Sequence, residues 1–507
     1  MAGPDDLKAG AVALQRFGLG ARPGQGEAIR REARDRLLAE IAAGPVAQPQ
    51  GVAFSGAAEI GQALYAFEDQ ERIAREAKRV AAQQAQAVSP GAQSAGMQVA
   101  GAGAMSGQME VAQAPAEVKP SGQNQAAQPA KPPPNEPALP FRTYRDEVKS
   151  RVDLALAAET GFGERLVMFW SNHFCIGATK SNICRIMAGA YEREAIRPHV
   201  FGRFEDMLIA AESHPAMLDF LDNRQSIGPN SPAGRRQRRG LNENLAREIM
   251  ELHTLGVSGG YNQADVTNLA RIITGWTVVG REGVLGFPGS FAFNAGLHEP
   301  GVTPLLGRSY DQPGRAQGVA ALTDLARHPS TAHFIATKLV RHFVADDPPP
   351  KLVDLLAATF RQSGGDLPSV YRALIGSDEA WKAPATKVRS PQEFLLASYR
   401  ATGLQPNPGQ ILGPLGTMGQ PFWQPSGPNG YADTNVAWAS AEGIKTRIDV
   451  AAGWGRQTAN AVPDPRSQAD DILGPILSPE TKQAVARAES RPQAIALLLM
   501  SPEFQRR

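Results

Sequence analysis

The sequence predicts an all-α fold: a large, predominantly helical globular core with at most a short β-hairpin, interrupted by a disordered linker. Three observations support this prediction. The chain has 507 residues, more than the roughly 250–300 at which one core usually stops growing, so one large or two ordinary folded units are expected. Hydrophobic residues make up 42% of it, which excludes disorder throughout. Segments with helical periodicity follow one another on both sides of a stretch of unusual composition.

The N-terminal part, residues 1–80, contains two of these helical segments. Residues 27–43 carry Leu37 and Ile41 on one helical face, and residues 57–87 are predicted to form a longer helix. We expect this part to pack as a helical segment on the main body of the protein.

Residues 81–140 are predicted to be a disordered linker. Ala, Gln, Gly, Ser and Pro fill most of this stretch, and no aromatic residue occurs between Phe67 and Phe141. The charged residues between 81 and 134 are Glu110, Glu117, Lys119 and Lys131. Such a composition cannot bury enough apolar surface to offset its ordering entropy.

The main domain, residues 141–507, is predicted to be helical because amphipathic segments recur along it. These segments cover residues 164–174, 182–196, 204–211, 216–221, 242–255, 264–276, 331–344, 352–362, 367–375, 391–402 and 492–500. A short hairpin is expected where apolar residues alternate between glycines, around residues 277–279 and 290–293.

Charge and composition exclude several function classes. With 52 Lys+Arg against 50 Asp+Glu there is no broad basic field, so nucleic acid is not expected as a partner. No apolar run approaches the ~18 residues of a membrane span, and residues 1–6 lack the pattern of an export signal. The sequence as written therefore predicts a cytoplasmic protein without a membrane partner. Cys175 and Cys184 are expected to stay reduced there, and to be able to pair if the chain is exported.

Several strings resemble one bacterial family. Residues 14–20 read LQRFGLG, residues 165–174 read RLVMFWSNHF, and residues 242–256 read NENLAREIMELHTLG. Further strings are TGW at 274–276, HEPG at 298–301, the segment 328–350, GQPFW at 419–423 and SPEF at 501–504. Together they resemble the family called domain of unknown function 1800, over nearly the whole chain except the linker.

The resemblance implies a mainly helical fold and a bacterial origin. It also implies a partner: members are often paired genetically with a second family, domain of unknown function 1501, whose members resemble sulfatase-like proteins. Many relatives begin with a secretion signal, so export is the alternative to a cytoplasmic location.

The segment 242–256 carries the densest set of polar residues. On an ideal helix Glu248 and His253 lie on opposite sides of the buried stripe, so one helix cannot supply both to a single metal ion. A shared site would therefore need groups from elsewhere, and His173 and His298 are the best candidates. The simpler interpretation is that Glu248 and His253 make stabilising hydrogen bonds at the edge of the core.

We accordingly predict that Glu248, His173 and His298 share one site. Imidazole and carboxylate groups can act as general acid and base, or they can bind a divalent metal as the cofactor. This site would make the protein an enzyme with a polar or metal-assisted pocket.

The alternative function is that of a non-catalytic accessory or scaffold protein for a sulfatase-like partner. Two segments could bind such a partner. Arg235, Arg236, Arg238 and Arg239 form a basic loop that could bind anions, or be a solvated loop. The aromatic residues of 419–438 could form a recognition surface, or close over the core.

One further helix carries several basic residues. Residues 331–344 contain His333, Lys338, Arg341 and His342, and Lys338 lies one turn from His342. Because the apolar residues of this segment occupy a neighbouring face, we interpret the basic residues as its polar face.

Overall fold

The fold is mainly helical, as the sequence predicts, throughout the residues that the computed structural model describes. These are residues 4–49, 55–87, 137–236 and 240–507. Most of the predicted linker, residues 88–136, lies outside the described residues. The helix predicted over 57–87 is present, so it includes the first residues of the stretch that composition assigns to the linker.

The helices span most of the segments with helical periodicity. Numbered in chain order, the α-helices are α1 (Pro4–Val12), α2 (Gln25–Ile29), α3 (Ala33–Ala42), α4 (Ala57–Ala87), α5 (Leu139–Ala157), α6 (Phe162–His173), α7 (Asn182–Tyr191), α8 (Phe204–Ser213), α9 (Pro215–Phe220), α10 (Asn244–Glu248), α11 (Gln263–Ile272), α12 (Arg315–Ala326), α13 (Pro329–Phe343), α14 (Pro350–Gln362), α15 (Leu367–Gly376), α16 (Asp378–Lys382), α17 (Pro391–Thr402), α18 (Pro408–Thr417), α19 (Asn435–Trp438), α20 (Ala441–Thr458), α21 (Pro465–Leu473), α22 (Pro479–Ala486), α23 (Arg491–Met500) and α24 (Pro502–Gln505). Wider π-helical turns cover Ala13–Phe17, Glu192–Ile196 and Ile249–His253, and tighter 3-10 turns cover Arg197–His199, Asn223–Gln225 and Gly474–Ile476.

Two compact units are formed by the chain. One comprises Met1–Tyr65 and Leu139–Arg507, and the other comprises Ala66–Ala138. In the second unit the described residues are the continuation of α4, where exposed side chains form pairs one turn apart, such as Arg72 with Asp69 at 3.3 Å. The core and every cavity discussed below belong to the first unit.

Helix starts follow local capping chemistry. The order Asn262-Gln263-Ala264-Asp265 predicts a capping box at the start of α11, and the structure has it. The side chain of Asn262 accepts from the amides of the first turn, and Asp265 accepts from the amide of Asn262. At α17, Ser390 and Glu393 form the same reciprocal arrangement, and Pro391 occupies the first helical position.

The segment 242–255 is not one regular α-helix. It begins as α10 and continues as the π-helical turn Ile249–His253. A π-helical turn advances less per residue than an α-helix, so residues beyond Glu248 rotate away from their expected positions. His253 is therefore fully buried, whereas Leu252, which the ideal helix assigns to the buried stripe, is partly exposed.

Two short antiparallel strand pairs accompany the helices. Strands β1 (Trp276–Val278) and β2 (Phe291–Phe293) form the predicted hairpin, with Thr277 opposite Ala292. A second pair, β3 (Thr303–Leu305) and β4 (Arg308–Tyr310), is not predicted from the sequence. Its turn uses Leu306 and Gly307, both at positive φ, and leucine in this conformation gives no recognisable turn signal.

The N-terminal segment contributes to the core of the first unit. Phe17 packs against Phe343 of α13 and Trp381 of α16, with ring centroids 6.0 and 5.1 Å apart. The neighbouring Arg16 donates to the carbonyl of Ala380 at 2.6 Å. Residues more than 300 positions apart are joined in this way, so the N-terminal helices are part of the fold of this unit.

A buried ionic cluster lies next to this contact between the N-terminal segment and α13. Arg165 of α6 is fully buried and contacts Glu393 of α17 at 2.6 Å. The same guanidinium donates to the carbonyl of Gly18 at 2.9 Å and to His342 at 3.0 Å. Arg507 contacts Glu393 from the other side at 3.0 Å. A single carboxylate therefore joins three distant parts of the chain.

A second buried cluster lies at the same end of α6, around Glu164, the residue before Arg165. Glu164 contacts Arg151 at 2.8 Å and Arg197 at 2.8 Å, and Glu192 also contacts both arginines, at 2.8 and 3.0 Å. All four side chains are almost completely buried. Because two carboxylates face two guanidinium groups, each charge has a partner of opposite sign.

We expect Glu393→Gln to lower the free energy of unfolding by about 3–5 kcal/mol at pH 7, because it leaves the buried guanidinium group of Arg165 without an anion and that of Arg507 with only a 3.9 Å contact to Asp433. Burial alone would raise the pKa of Glu393, but Arg165 and Arg507 outweigh that effect and lower it to about 2. The parent should therefore lose this stabilisation as pH falls from about 4.5 towards 2, and the variant should lack that loss.

Urea unfolding at several pH values measures both effects. Arg30→Gln removes a more exposed pair with Glu27 and provides the control, with an expected change below about 1 kcal/mol. Equal stabilities of Glu393→Gln and the parent at pH 7 would contradict the role of the cluster.

Candidate functional site

The candidate site begins at the C-terminal end of α6, where an apolar helix ends in polar residues. Residues up to Trp170 are buried, and Ser171, Asn172 and His173 follow. Phe174 leaves the helical conformation at φ −102° and ψ 51°, which ends the helix. The last turn therefore brings three polar side chains to the wall of a cavity.

This cavity has a volume of about 280 Å³. It is lined by the end of α6 and the two residues Cys175 and Ile176 after it, one face of α13, residues 388–393 before and within α17, the loop 420–438, and the side chains of Arg151 and Glu192. Polar side chains on its wall include Asn172, His173, Lys338, Arg341, His342, Gln392, Gln420, Tyr431 and Asp433.

Lys338 and His173 form a hydrogen-bonded pair in this wall. The ammonium group of Lys338 donates to Nδ1 of His173 at 2.9 Å. Nε2 of His173 donates to the backbone carbonyl of His253 at 3.1 Å. This arrangement requires neutral His173 with its proton on Nε2.

Burial shifts the pKa values of both groups downwards. Desolvation lowers the pKa of Lys338 to about 8; Cys175 and Asp433 oppose this shift, and Arg341 adds to it. Desolvation also lowers the pKa of His173 well below its usual value, with Lys338 as the next cause. Lys338 thus changes charge close to neutral pH while His173 stays neutral.

His342 and Asp433 of the cavity wall belong to a group of polar side chains that contact one another. Nδ1 of His342 donates to Asp433 at 2.7 Å, and its Nε2 accepts from Arg165. Lys387 contacts Asp346 at 2.8 Å and Asp433 at 3.1 Å. Burial lowers the pKa of His342 to about 4, so this imidazole is neutral at pH 7.

The aromatic residues of the loop divide between core and cavity. Phe422 is buried, whereas Trp423, Tyr431 and Trp438 are half-buried and line the cavity. Trp423 adopts a positive φ of 49°, a conformation that is rare for a large side chain and typical of functional sites. Its carbonyl accepts from the amide of Ala178 at 2.8 Å, which fixes the loop to the segment after α6.

Comparison with known proteins gives one result for this chain. The family model described as a protein of unknown function, DUF1800, matches residues 12–506. The chain belongs to the DUF1800 family. Neither the curated proteins nor the solved structures contain a match to it. The resemblance seen in the sequence strings is therefore confirmed, over almost the entire length.

The predicted set His173, Glu248 and His298 is not gathered into a metal-binding group in this DUF1800 protein. Across the described residues, no group of three or more His, Cys, Asp or Glu side chains is arranged to hold a metal ion. His173 lies in the cavity wall, whereas Nδ1 of His298 is 2.9 Å from the carbonyl of Thr274. Glu248 is half-buried on α10, where desolvation raises its pKa. The metal and catalytic assignment of the set stays a prediction without support from these positions.

His253 has a buried carboxylate partner. Its Nδ1 lies 2.7 Å from Glu212, and both side chains are fully buried. Its ring centroid is 6.0 Å from that of His173. Because the backbone carbonyl of His253 accepts from His173, this residue also orients the imidazole in the cavity wall.

The predicted arginine loop is anchored by the residue after His298. Glu299 is buried and accepts from the amide of Asn230 at 2.8 Å and from its side chain at 2.5 Å. Arg235 and Arg236, which follow this anchor, are exposed. Arg238 and Arg239 lie outside the described residues.

The cysteines are both free and buried. Cys175 lines the cavity, and its thiol donates to the carbonyl of Pro428 at 3.2 Å. Burial raises the pKa of Cys175 to about 12, so its thiol is protonated at neutral pH.

Among the described helices, none is long and apolar enough to cross a membrane.

Sequence reasoning missed Lys338 and Asp433 as site residues. Lys338 was consistent with an ordinary polar helix face, and Asp433 lies in a loop without a motif. The available signals were the basic spacing along α13 and the aromatic residues of 419–438. Neither signal shows alone that the loop covers this helix face.

We expect Lys338→Met to alter the pH dependence of stability. In the parent, the folded state holds this proton less tightly than the unfolded state, so stability should rise with pH between about 8 and 10.5. The variant lacks this rise. The difference in Tm, variant minus parent, should therefore be largest below pH 8 and should decrease towards pH 10.

Thermal unfolding followed by circular dichroism from pH 6 to 10 measures this difference. Lys351→Met, at an exposed position of α14, is the matched control and should show a difference that does not vary in this way. A pH-independent difference for Lys338→Met would show that Lys338 titrates as an ordinary surface lysine.

Proposed function

We propose that this DUF1800 protein is an enzyme, that the cavity at His173 and Lys338 is its active site, and that Lys338 transfers a proton to or from the substrate. The observation that carries the proposal is the Lys338 amino group in the cavity wall, hydrogen-bonded to a neutral imidazole at 2.9 Å. A lysine with a pKa near 8 is present in both protonation states close to neutral pH. Such a group can act as acid or base under physiological conditions.

His173 acts as a positioning residue in this proposal. Its Nε2–H is bound by the carbonyl of His253, so its Nδ1 lone pair is held towards Lys338. The hydrogen bond fixes one donor direction of the ammonium group and leaves the other donors for a ligand. The stacked rings around His173, such as Phe169 at a centroid distance of 6.3 Å, restrict rotation of the imidazole.

This role can be tested with a neutral probe whose reaction needs only a basic side chain in the cavity. 5-Nitrobenzisoxazole loses its ring C–H proton to a base; the C–H electron pair completes a nitrile, and the N–O bond breaks to release a coloured phenolate. The parent should accelerate this reaction with a rate that rises through an apparent pKa near 8. Lys338→Met should be at least about tenfold slower.

Lys351→Met provides the control, because Lys351 is exposed on α14, and should react like the parent. His173→Phe keeps an aromatic ring but removes the hydrogen bond, so it should shift the apparent pKa of the rate profile. Identical rates for Lys338→Met and the parent would refute Lys338 as the base.

A scaffold function is the second candidate, supported by exposed Arg235 and Arg236 on a loop that buried Glu299 anchors. Guanidinium groups held by a rigid anchor suit a carboxylate-rich or otherwise anionic protein surface. Under this proposal the partner is a sulfatase-like protein of the domain of unknown function 1501 family.

Changing Arg235, Arg236, Arg238 and Arg239 together to Gln should weaken association with that partner while leaving the Tm nearly unchanged. The loss should be larger at low salt, since added salt already screens exposed charges. Pull-down at two ionic strengths measures it, and the Arg372→Gln variant, at an exposed site on α15, is the control. Full recovery of the partner by the fourfold variant would exclude the loop.

A further inference from the structure

The charges around the cavity are not balanced. Each acidic side chain in its wall contacts a cation: Glu192 contacts Arg151 at 2.8 Å, and Glu393 contacts Arg165 at 2.6 Å. Asp433 contacts Lys387 at 3.1 Å. The negative charges of the wall are therefore already compensated by buried partners.

Two cations of the wall have no such compensation. Within the described residues, no carboxylate lies within salt-bridge distance of Lys338 or Arg341. The partner of Lys338 is neutral His173, and Nε of Arg341 donates to the backbone carbonyl of Asp346 at 3.2 Å. A half-buried cation without an anion is unfavourable, so this pair is poised to accept one.

These two cations lie on the same side of α13. They are three residues apart, which makes their side chains neighbours on the helix surface. The hydrogen bond to Asp346 uses Nε of Arg341 and leaves the terminal nitrogens of the guanidinium for a ligand. An ammonium and a guanidinium side by side match the two oxygens of a carboxylate or the oxygens of a phosphate.

Another part of the wall is aromatic. Trp423 and Trp438 line the same cavity, and both are half-buried rather than closed into the core. Flat rings of this kind bind the apolar body of a ligand, while the charged groups fix its orientation.

The geometry points to a small organic anion as the substrate class, with its charged oxygens bound by Lys338 and Arg341 and its body packed on Trp423 and Trp438. This inference rests on the proposed function, because it assigns a ligand to the same cavity. The titratable groups described around Lys338, apart from the cation Arg341, leave no unpaired negative charge beside it: His173 and His342 are neutral at pH 7, the Cys175 thiol is protonated, and Asp433 is paired. The ammonium of Lys338 is itself charged below pH 8.

Four probes separate the contributions of charge and body. Benzoate carries a carboxylate on a flat ring, benzamide has the same ring without charge, acetate has the charge without the ring, and inorganic phosphate is an anion without an organic body. By calorimetric titration of the full chain at pH 7, benzoate should bind at least about tenfold more tightly than benzamide and more tightly than acetate or phosphate.

Substitutions test the two cations separately. Arg341→Gln and Lys338→Met should each weaken benzoate binding at least about tenfold, whereas Arg341→Lys, which keeps the charge, should retain most of it. Arg372→Gln should bind benzoate like the parent. The Tm of each variant shows whether it folds, and Arg341→Lys keeps the test valid if Arg341→Gln does not.

Four results would overturn the inference. These are equal affinities for benzamide and benzoate, parental benzoate affinity in Arg341→Gln, binding of phosphate but not of benzoate, and no heat from any probe up to about 10 mM. The neutral probe of the proposed function separates the two proposals. If benzoate binds and Lys338→Met leaves the proton transfer unchanged, the substrate class stands and the catalytic role fails. If Lys338→Met slows the proton transfer but no probe anion binds the parent, the catalytic role stands and the substrate class fails.

Discussion

The carboxylate of Glu393 is the interaction on which the first unit most depends. It forms ion pairs with Arg165 at 2.6 Å and with Arg507 at 3.0 Å, and all three side chains are almost completely buried. Isolated ions are costly in such surroundings, so removing one member leaves the others without compensation. Through Arg165 the same cluster reaches the carbonyl of Gly18 and the ring of His342. The N-terminal segment, α6, α13 and α17 are thereby held in one arrangement.

This constraint also explains why the cavity exists. The clusters at Glu393 and Glu192 form parts of its wall, and both have all their charges paired. Paired polar walls cannot collapse on one another as an apolar core would, because their hydrogen bonds fix each side chain in direction as well as in distance. The loop 420–438 then covers the space, with Trp423 held at a positive φ by its neighbours. Among the described residues of the wall, Lys338 and Arg341 are the two cations that contact no carboxylate.

The sequence predicts the local structure well, because local signals determine it. The capping box at Asn262, the β1–β2 hairpin and the long helix Ala57–Ala87 all follow from spacing and capping chemistry. The second hairpin is missed because its turn uses Leu306 at positive φ. The burial of His253 is also missed, since the π-helical turn rotates it away from its ideal position.

The site is harder to predict than the helices for a physical reason. Lys338 and His173 are 165 residues apart, and each one alone satisfies an ordinary explanation: a polar helix face and a histidine at a helix end. The low pKa of Lys338 appears only in the folded protein, since burial among residues distant in sequence is what lowers it. The predicted residue His173 is in the cavity, but its partner is a lysine of α13 rather than Glu248 or His298. The feature that distinguishes this cavity is therefore a cation in surroundings unfavourable to its charge, and no local sequence motif encodes that feature.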